Sequence, residues 1–164
     1  MYNFGPAAPG ESTVFGACKP RHGRHTPNND SVQSWLEFLT QQGIERVCCL
    51  LASKDAPEID ALVQASVERF GEDNVCQAPI ESFSTIKSSL LHETVLPFLV
   101  AADHQSSPVV VHCSAGEVRT GQVLVLWLVT HREFTLEEAI TAVQRAGRRP
   151  LVATTRRDFK ALLE

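Results

Sequence analysis

The sequence lacks several features that mark large classes of proteins. No apolar run approaches the roughly 20 residues that a membrane-spanning helix needs, and no Cys-x-x-Cys pair suggests a zinc site. The 19 acidic residues outnumber the 15 basic ones, and the net charge of −4 offers no general attraction to nucleic acid or to an anionic membrane. We therefore expect no nucleic-acid, membrane or metal partner, and no cofactor.

The cysteines and the first residues bear on the compartment. The five cysteines are an odd number, and the N-terminus lacks the charged and apolar regions of a secretory signal. We therefore expect free thiols and a cytoplasmic location. The 164 residues are enough for one full core, so a single domain over 1–164 is expected, with an irregular arm at 1–11 that is rich in Gly and Pro.

Apolar runs of strand length alternate with segments of helical spacing. Buried strands are predicted at 46–51 and 108–112, and shorter strands at 12–18 and 74–78. Helices are predicted at 32–42, 57–70, 85–102 with a kink near Pro97, 119–131, 135–146 and 155–163. The alternation predicts an α/β fold, with a central, mostly parallel sheet of about four to five strands flanked by helices on both faces.

The most informative segment is 112–121, with the sequence HCSAGEVRTG, between an apolar strand and an apolar helix. In it Cys113 is followed, five residues later, by Arg119. A loop from a strand end to a helix start directs several backbone N–H groups and the positive end of a helix dipole at one point. A dianionic phosphate would bind there, and a cysteine at the same place would be held as its reactive thiolate.

The residue types in this loop suit phosphate-ester chemistry. The thiolate of Cys113 can attack phosphorus and form a phosphocysteine, and the planar fork of Arg119 suits bidentate binding of phosphate oxygens. Gly116 permits a tight backbone path, and the Thr120 hydroxyl can stabilise the leaving thiolate. The alternative is a structural cysteine without a catalytic role. The predicted phosphate-binding loop consists of Ser114, Ala115, Gly116, Glu117, Val118 and Arg119.

The segment resembles the signature loop of the protein tyrosine and dual-specificity phosphatases, and the chain is similar in size to their compact dual-specificity group. The resemblance covers most of the chain, including residues 15–20, 43–47 and 78–80. It implies that Cys113 is the nucleophile, that Arg119 binds phosphate and that Thr120 aids hydrolysis of the intermediate. It also implies that His112 tunes the nucleophile through hydrogen bonds.

The general acid is the first departure from the family pattern. The family uses an aspartate on a mobile loop some thirty residues before the cysteine, and the corresponding segment here is 79–84. Ser82 stands at the aspartate position, and a serine cannot donate a proton as a carboxylic acid does. Neighbouring Glu81 either replaces the acid or is a solvated loop residue; both readings stay open. Other acids are expected at helix ends or on the surface: Asp55, Asp73 and Asp103.

Two residues within the loop also depart from the family pattern. Glu117 adds a carboxylate that repels multiply charged groups, which disfavours phosphoinositide, inositol polyphosphate and RNA triphosphate substrates. Val118 stands where Gly or Ser is commoner, and its branched side chain implies either backbone strain or an altered mouth. The basic pair Arg148-Arg149 either lies at the mouth and binds substrate, or complements a helix C-terminus.

The leading functional prediction is a cysteine-dependent phosphatase acting on phosphotyrosine, with or without phosphoserine and phosphothreonine. Its partner would be a phosphorylated protein or peptide, or a small aryl phosphate. The alternative is a phospho-binding module with weak or no turnover, and sulfur transfer fits the loop less well. Cys48 or Cys49 is either a disulfide partner that protects Cys113 from oxidation or a space-filling core residue.

Overall fold

Five strands form one sheet in the described part of the chain, which comprises residues 1–20, 29–55 and 59–164 of this computed structural model. The strands are β1 (Gly5–Pro6), β2 (Val14–Cys18), β3 (Arg46–Cys49), β4 (Val75–Gln77) and β5 (Val109–Cys113). Their spatial order is β1-β2-β5-β3-β4; β1 pairs antiparallel with β2, and the other neighbours are parallel. The predicted mostly parallel sheet is confirmed, with β5 at its centre.

Helices follow the strands as the alternation predicts. They are α1 (Asn29–Gln41), α2 (Ile59–Phe70), α3 (Ser88–Leu90), α4 (Leu96–His104), α5 (Val118–His131), α6 (Leu136–Arg145) and α7 (Arg156–Leu162). Thr135 and Glu138 form a capping box at the start of α6, as their spacing suggests. Residues 57 and 58, where the second helix was predicted to begin, lie outside the described residues. None of the described helices is long and apolar enough to cross a membrane.

The core lies on both faces of the sheet because side chains alternate along each strand. In β5, Val109, Val111 and Cys113 pack in a cluster with α4, α5, α6 and α7. Val110 faces the opposite cluster, which contains residues of α1 and α2. The expectation of helices on both faces is confirmed, and the strand that ends in Cys113 is buried throughout.

The helix predicted at 85–102 begins at Ser88 and is interrupted near Pro97. A wide π turn, Leu91–Val95, separates α3 from α4. Pro97 has no backbone N–H, and in a regular α-helix its ring would clash with the carbonyl of Glu93, four residues earlier. A wide turn at this point relieves that clash, which explains the predicted break.

The N-terminal arm is more ordered than its composition suggests. Gly5–Pro6 pairs with β2, so the prediction of an irregular arm is wrong at these two residues. Tyr2 and Asn3 adopt left-handed backbone conformations, with φ of 57° and 49°. The Tyr2 carbonyl accepts a hydrogen bond of 2.8 Å from the backbone N–H of Cys18. These contacts hold the arm against the end of β2, next to the candidate site.

Candidate active site

Cys113 lies where three parallel strands and a helix meet. It is the last residue of β5 and only 2% exposed, and β2 and β3, which flank β5, end at the same edge of the sheet. Helix α5 begins five residues later at Val118. The Thr120 hydroxyl in its first turn donates a hydrogen bond of 3.1 Å to the Cys113 sulfur. Cys113 and Thr120 are therefore brought together as the sequence predicts.

The backbone N–H groups of residues 114–119 are available to an anion. The Asn3 side-chain amide donates to the carbonyl oxygens of Ala115 at 3.2 Å and of Gly116 at 3.3 Å. Within the part of the chain that the structure describes, no backbone N–H of residues 114–119 donates to a protein acceptor. The loop carbonyls of Ala115 and Gly116 are hydrogen bonded to the protein, whereas the loop N–H groups have no protein acceptor among the described residues. Such a loop suits an anion such as phosphate.

Gly116 is required by the packing of this loop. Its φ is +75°, in the left-handed region. A Cβ atom at this position would lie 2.6 Å from the carbonyl carbon and oxygen of Ala17 and 2.8 Å from the backbone nitrogen of Cys18. Only glycine lets the loop approach the end of β2 so closely.

Arg148 lies beneath the loop rather than at its mouth. It is 3% exposed, and its guanidinium donates to the carbonyl oxygens of Gly116 and, at 2.9 Å, of Asn3. Burial lowers the pKa of this guanidinium. Both sequence-based interpretations of Arg148, a substrate contact and a helix-end charge, are therefore replaced by a brace that holds the loop from behind.

Arg119 is fixed by a carboxylate that the sequence analysis did not assign to the site. Its Nη1 donates to Asp55 Oδ2 at 2.6 Å and to the Ile80 carbonyl at 3.0 Å, and its Nη2 donates to Asp55 Oδ1 at 3.0 Å. Nε has no hydrogen-bond partner among the described residues. Asp55 thus occupies the terminal edge of the guanidinium, and the lateral edge, Nε and Nη2, remains available for two phosphate oxygens.

Asp55 is not a surface acid, because its side chain is only 9% exposed. It closes a tight turn after β3 in which its Oδ2 accepts a hydrogen bond of 2.7 Å from the backbone N–H of Ala52. One signal in the sequence could have found it. It follows a predicted parallel strand, and such strands end at the edge of the sheet where Cys113 lies.

His112 is fully buried beside an aromatic ring. Its ring packs edge-on against Trp35 with the centroids 5.0 Å apart. Neither ring nitrogen has a hydrogen-bond partner of regular geometry among the described residues, so the expected tuning through hydrogen bonds stays a prediction. Burial lowers the pKa of His112 to about 4, and an interaction of its imidazole with the Cys113 backbone partly opposes this effect. The imidazole is therefore neutral near pH 7.

The loop 79–84 reaches the site through its backbone, not through its acid. The Ile80 carbonyl contacts Arg119, but the side chains of Glu81 and Ser82 are exposed. Glu81 lines two cavities, of about 560 and 400 Å³, and its carboxylate has no hydrogen-bond partner in the described residues. Neither cavity is lined by residues 113–119. The structure therefore does not bring Glu81 to Cys113 in this conformation.

Glu117 and Val118 lie at the start of α5. Glu117 Oε2 pairs with Arg149 Nε at 2.9 Å, and both side chains are partly exposed. This partner reduces the repulsion expected of the carboxylate. Val118 is the first residue of the helix and does not have a positive φ, so its branched side chain forces no left-handed backbone.

The cysteine nearest to Cys113 in the sheet is Cys18. The parallel register places Cys18 directly opposite Cys113, whereas Cys48 and Cys49 lie opposite the two preceding residues. Cys48 lies opposite Cys76 in the register of β3 and β4, and burial raises the pKa of Cys49 to about 12. The register thus favours Cys18 over the two cysteines named from the sequence. No group of three metal-ligating side chains is found in the described residues.

Comparisons with known proteins agree with this geometry. The family described as dual specificity phosphatase, catalytic domain, matches residues 30–163. The structure of Tk-PTP in the active form is similar, with a TM-score of 0.66 and 23% identity over 93% of this chain and 90% of that one. The structure of PTPMT1 in complex with PI(5)P has a TM-score of 0.72 and 14% identity, over 97% of this chain and 93% of that one. Human DUSP28 has a TM-score of 0.62 and 18% identity, over 98% of this chain and 90% of that one. No curated protein sequence is significantly similar.

Proposed function

The chain belongs to the dual-specificity phosphatase family, and we propose that it is a cysteine-dependent phosphatase acting on phosphotyrosine, with or without phosphoserine and phosphothreonine. One observation supports this more than any other. The Cys113 sulfur adjoins a loop, 114–119, whose backbone N–H groups are free of protein acceptors in the described part of the chain, next to an arginine with one free edge.

The first step is transfer of the phosphoryl group to sulfur. The phosphate dianion binds the N–H groups of 114–119 and the lateral edge of Arg119, which together balance its charge. The Cys113 thiolate attacks phosphorus, an S–P bond forms, and the bond between phosphorus and the ester oxygen breaks. The leaving oxygen takes a proton from an acid or from water.

The second step is hydrolysis of the phosphocysteine. Water attacks phosphorus, the S–P bond breaks, and inorganic phosphate leaves together with one proton. The sulfur departs as a thiolate, and the Thr120 hydroxyl, 3.1 Å away, donates to it. A hydrogen bond from Thr120 stabilises the anionic sulfur of the leaving group more than it stabilises the uncharged sulfur of the phosphocysteine.

Glu81 is the proposed general acid. Its loop already contacts Arg119 through the Ile80 carbonyl, and rotation of the exposed turn that begins at Glu81 would carry its carboxyl toward the leaving oxygen. Ser82, at the family's aspartate position, has no acidic proton to give at neutral pH. Loss of a general acid lowers rates by about 10²- to 10⁴-fold, mainly for poor leaving groups.

A phosphorylated protein or peptide is the preferred substrate class. PTPMT1, which has a similar fold, is known in complex with PI(5)P. The phosphate loop of the present chain contains a carboxylate, Glu117, and no basic side chain besides Arg119. A head group with several phosphates gains little attraction from such a loop. A cytoplasmic location stays a prediction.

A second candidate function is binding of phosphate esters without turnover. The exposed state of Glu81 favours it, because proton delivery then depends on a movement of the turn. The binding half of the site is complete without that acid. A protein of this kind would capture phosphotyrosine and release it unchanged.

Release of phosphate from p-nitrophenyl phosphate and from phosphotyrosine peptides tests these alternatives. We expect turnover by the unchanged protein, none by Cys113→Ser, and near-normal turnover by Cys49→Ser, which alters another buried thiol. Tight phosphopeptide binding without turnover would establish the binding module. Equal rates for the unchanged protein and Cys113→Ser would refute cysteine-dependent catalysis.

A further inference from the structure

We propose that Gln122 is a positioning residue that holds the loop carrying Glu81 against helix α5. It acts through backbone groups of Ser84 and Ile86 and touches neither substrate nor the reacting atoms. The inference rests on the proposed function, because it assumes that Glu81 delivers the proton. It concerns a residue that lies outside the signature loop and for which the sequence analysis assigned no role.

Gln122 is a fully buried amide in α5, directly before the apolar run 123–128. Its carbonyl oxygen accepts a hydrogen bond of 3.0 Å from the backbone N–H of Ile86, and its NH₂ group donates one of 2.8 Å to the carbonyl of Ser84. A buried amide without partners would be strongly destabilising. Both polar groups of this amide bind the same loop, so the position of the loop is fixed relative to the helix.

The same face of α5 also holds the loop on the other side of its turn. Arg119 and Gln122 are three residues apart and therefore neighbours on the helix surface. Arg119 donates to the carbonyl of Ile80, just before the turn, and Gln122 binds the loop just after it. Two side chains of helix α5 thus hold the exposed turn at 81–83, one before the turn and one after it.

The remaining contacts of the loop leave little freedom outside this turn. The Thr85 hydroxyl donates to the carbonyl of Ala153 at 3.1 Å and lies 3.1 Å from the Thr154 hydroxyl oxygen. Ile80 and Ile86 are 4% and 2% exposed. The part that can rotate is therefore the short turn, which a hydrogen bond of 3.1 Å from the backbone N–H of Ser84 to the Glu81 carbonyl closes.

A short turn can deliver an acid only if its ends are fixed. If Gln122 released Ser84 and Ile86, the end of the turn would be held only by the Thr85 hydroxyl and the packing of Ile86, and the segment free to move would extend beyond residue 83 to include Ser84. The carboxyl of Glu81 would then spend more time away from the leaving oxygen. Misplacement of a catalytic group by about 1 Å can lower the rate by about 100-fold. A purely structural glutamine would instead affect folding and slow all substrates alike.

The test is a series of aryl phosphates with leaving groups from p-nitrophenol to phenol, measured on Gln122→Met, Gln122→Glu and Ser66→Ala. Methionine keeps the volume and loses both hydrogen bonds, while glutamate retains only the acceptor for Ile86. Ser66→Ala removes another buried hydrogen bond, to the Leu62 carbonyl, within α2. Unfolding curves accompany the kinetics, so that loss of folded protein is counted separately.

For Gln122→Met we expect kcat/KM to change less than about 3-fold for p-nitrophenyl phosphate and to fall about 10- to 100-fold for phenyl phosphate. Gln122→Glu should show at least as large a loss, because its buried carboxylate would face the Ser84 carbonyl, and Ser66→Ala should show no dependence on the leaving group. In a Glu81→Gln background, Gln122→Met should add little, because both changes disable one step.

Two results would overturn the inference. Equal slowing of every substrate by Gln122→Met, with an active unchanged protein, would reduce Gln122 to a structural residue while leaving the proposed function intact. An unchanged protein no faster than Cys113→Ser on any substrate would instead refute the proposed function, and the inference with it.

Discussion

The phosphate loop at 113–119 and the turn at 81–83 are the two halves of the candidate site, and they are built in opposite ways. The loop follows a fully buried strand and is braced from behind by Asn3 and Arg148. The turn is exposed, and in the described part of the chain its ends are held by Arg119 and Gln122 together with the contacts of Thr85. One half is fixed before substrate arrives, and the other is free to adjust.

The difference matches what each half has to do. Dipoles stabilise a charged transition state only if they are already oriented when the reaction occurs, because reorientation would consume the stabilisation. A proton donor instead has to reach a leaving oxygen whose position varies with the substrate. The half that binds phosphate therefore has to be rigid, and substitutions in it should lower the rate more than substitutions in the turn.

Gly116→Ala should have the largest effect, because it deforms the rigid half. The new Cβ would lie 2.6 Å from the Ala17 carbonyl, so the loop has to move and its N–H groups lose their alignment. We expect kcat/KM for p-nitrophenyl phosphate to fall by about 10³-fold, as when an oxyanion-stabilising donor is lost. The measurement is steady-state kinetics together with inhibition by inorganic phosphate.

Gly43→Ala is the matched control. Gly43 also has a left-handed backbone, with φ of +83°, but a Cβ at this position would have no atom of a non-adjacent residue within 4 Å. Both variants carry the backbone penalty of about 1–2 kcal/mol, and only Gly116→Ala adds the clash. Similar activity losses in the two would mean that stability, not loop geometry, governs the site.

Glu81→Gln should have the next largest effect, confined to poor leaving groups. We expect phenyl phosphate turnover to fall about 10²- to 10³-fold while p-nitrophenyl phosphate turnover changes little. Glu93→Gln is the control, since Glu93 is a second carboxylate lining the same cavity of about 560 Å³. Equal slowing of both esters by Glu81→Gln would remove Glu81 from the role of acid.

Asp55→Asn should have a smaller effect, on the orientation of Arg119. Both side chains are nearly buried, and asparagine keeps the shape of Asp55 while removing the charge that fixes the guanidinium. We expect kcat/KM to fall about 10- to 100-fold and phosphate inhibition to weaken. Asp60→Asn, on the neighbouring helix, should change neither. Tighter phosphate binding by Asp55→Asn would show that Asp55 competes with the anion rather than orienting its partner.

The rigid half was also the predictable half. The buried strand 108–112, the loop 113–119 and the helix after it follow from apolar runs and residue spacing, which depend on neighbours in the chain. The sheet and its helices are predictable for the same reason. The roles of Cys113, Arg119 and Thr120 in catalysis stay predictions, although the structure places the Cys113 and Thr120 side chains in contact.

The residues that support the loop escaped prediction because they come from distant parts of the chain. Asn3 and Arg148 reach the loop across 112 and 32 positions, respectively. The one signal that Asp55 carries, its place after a parallel strand, does not by itself separate it from a surface acid. Gln122 differs from these residues in that the sequence does carry a signal for its burial, because an amide next to an apolar helical run indicates a buried hydrogen-bond partner. Single-chain patterns locate elements, whereas these contacts depend on how the elements pack.

The smallest expected effect concerns the thiol behind the rigid half. Hydrogen peroxide oxidises the Cys113 thiolate to a sulfenic acid and releases hydroxide, which takes up a proton to give water; attack by a second thiol then forms a disulfide and releases a second water. Neighbouring strands are about 4.8 Å apart, within the Cα separations that disulfides adopt. Cys18, directly opposite Cys113, therefore meets the geometric requirement better than Cys48 or Cys49.

After mild peroxide treatment we expect a Cys18–Cys113 peptide by mass spectrometry and recovery of turnover with a reducing agent. Cys18→Ser should recover several-fold less activity, because its sulfenic acid proceeds to irreversible forms, whereas Cys49→Ser should recover like the unchanged protein. A Cys113 peptide linked to Cys48 or Cys49 would contradict the register argument. The end of β2, which packs against Gly116, would then have only a packing role. The expected result instead gives it a second role, in which Cys18 protects Cys113 from irreversible oxidation.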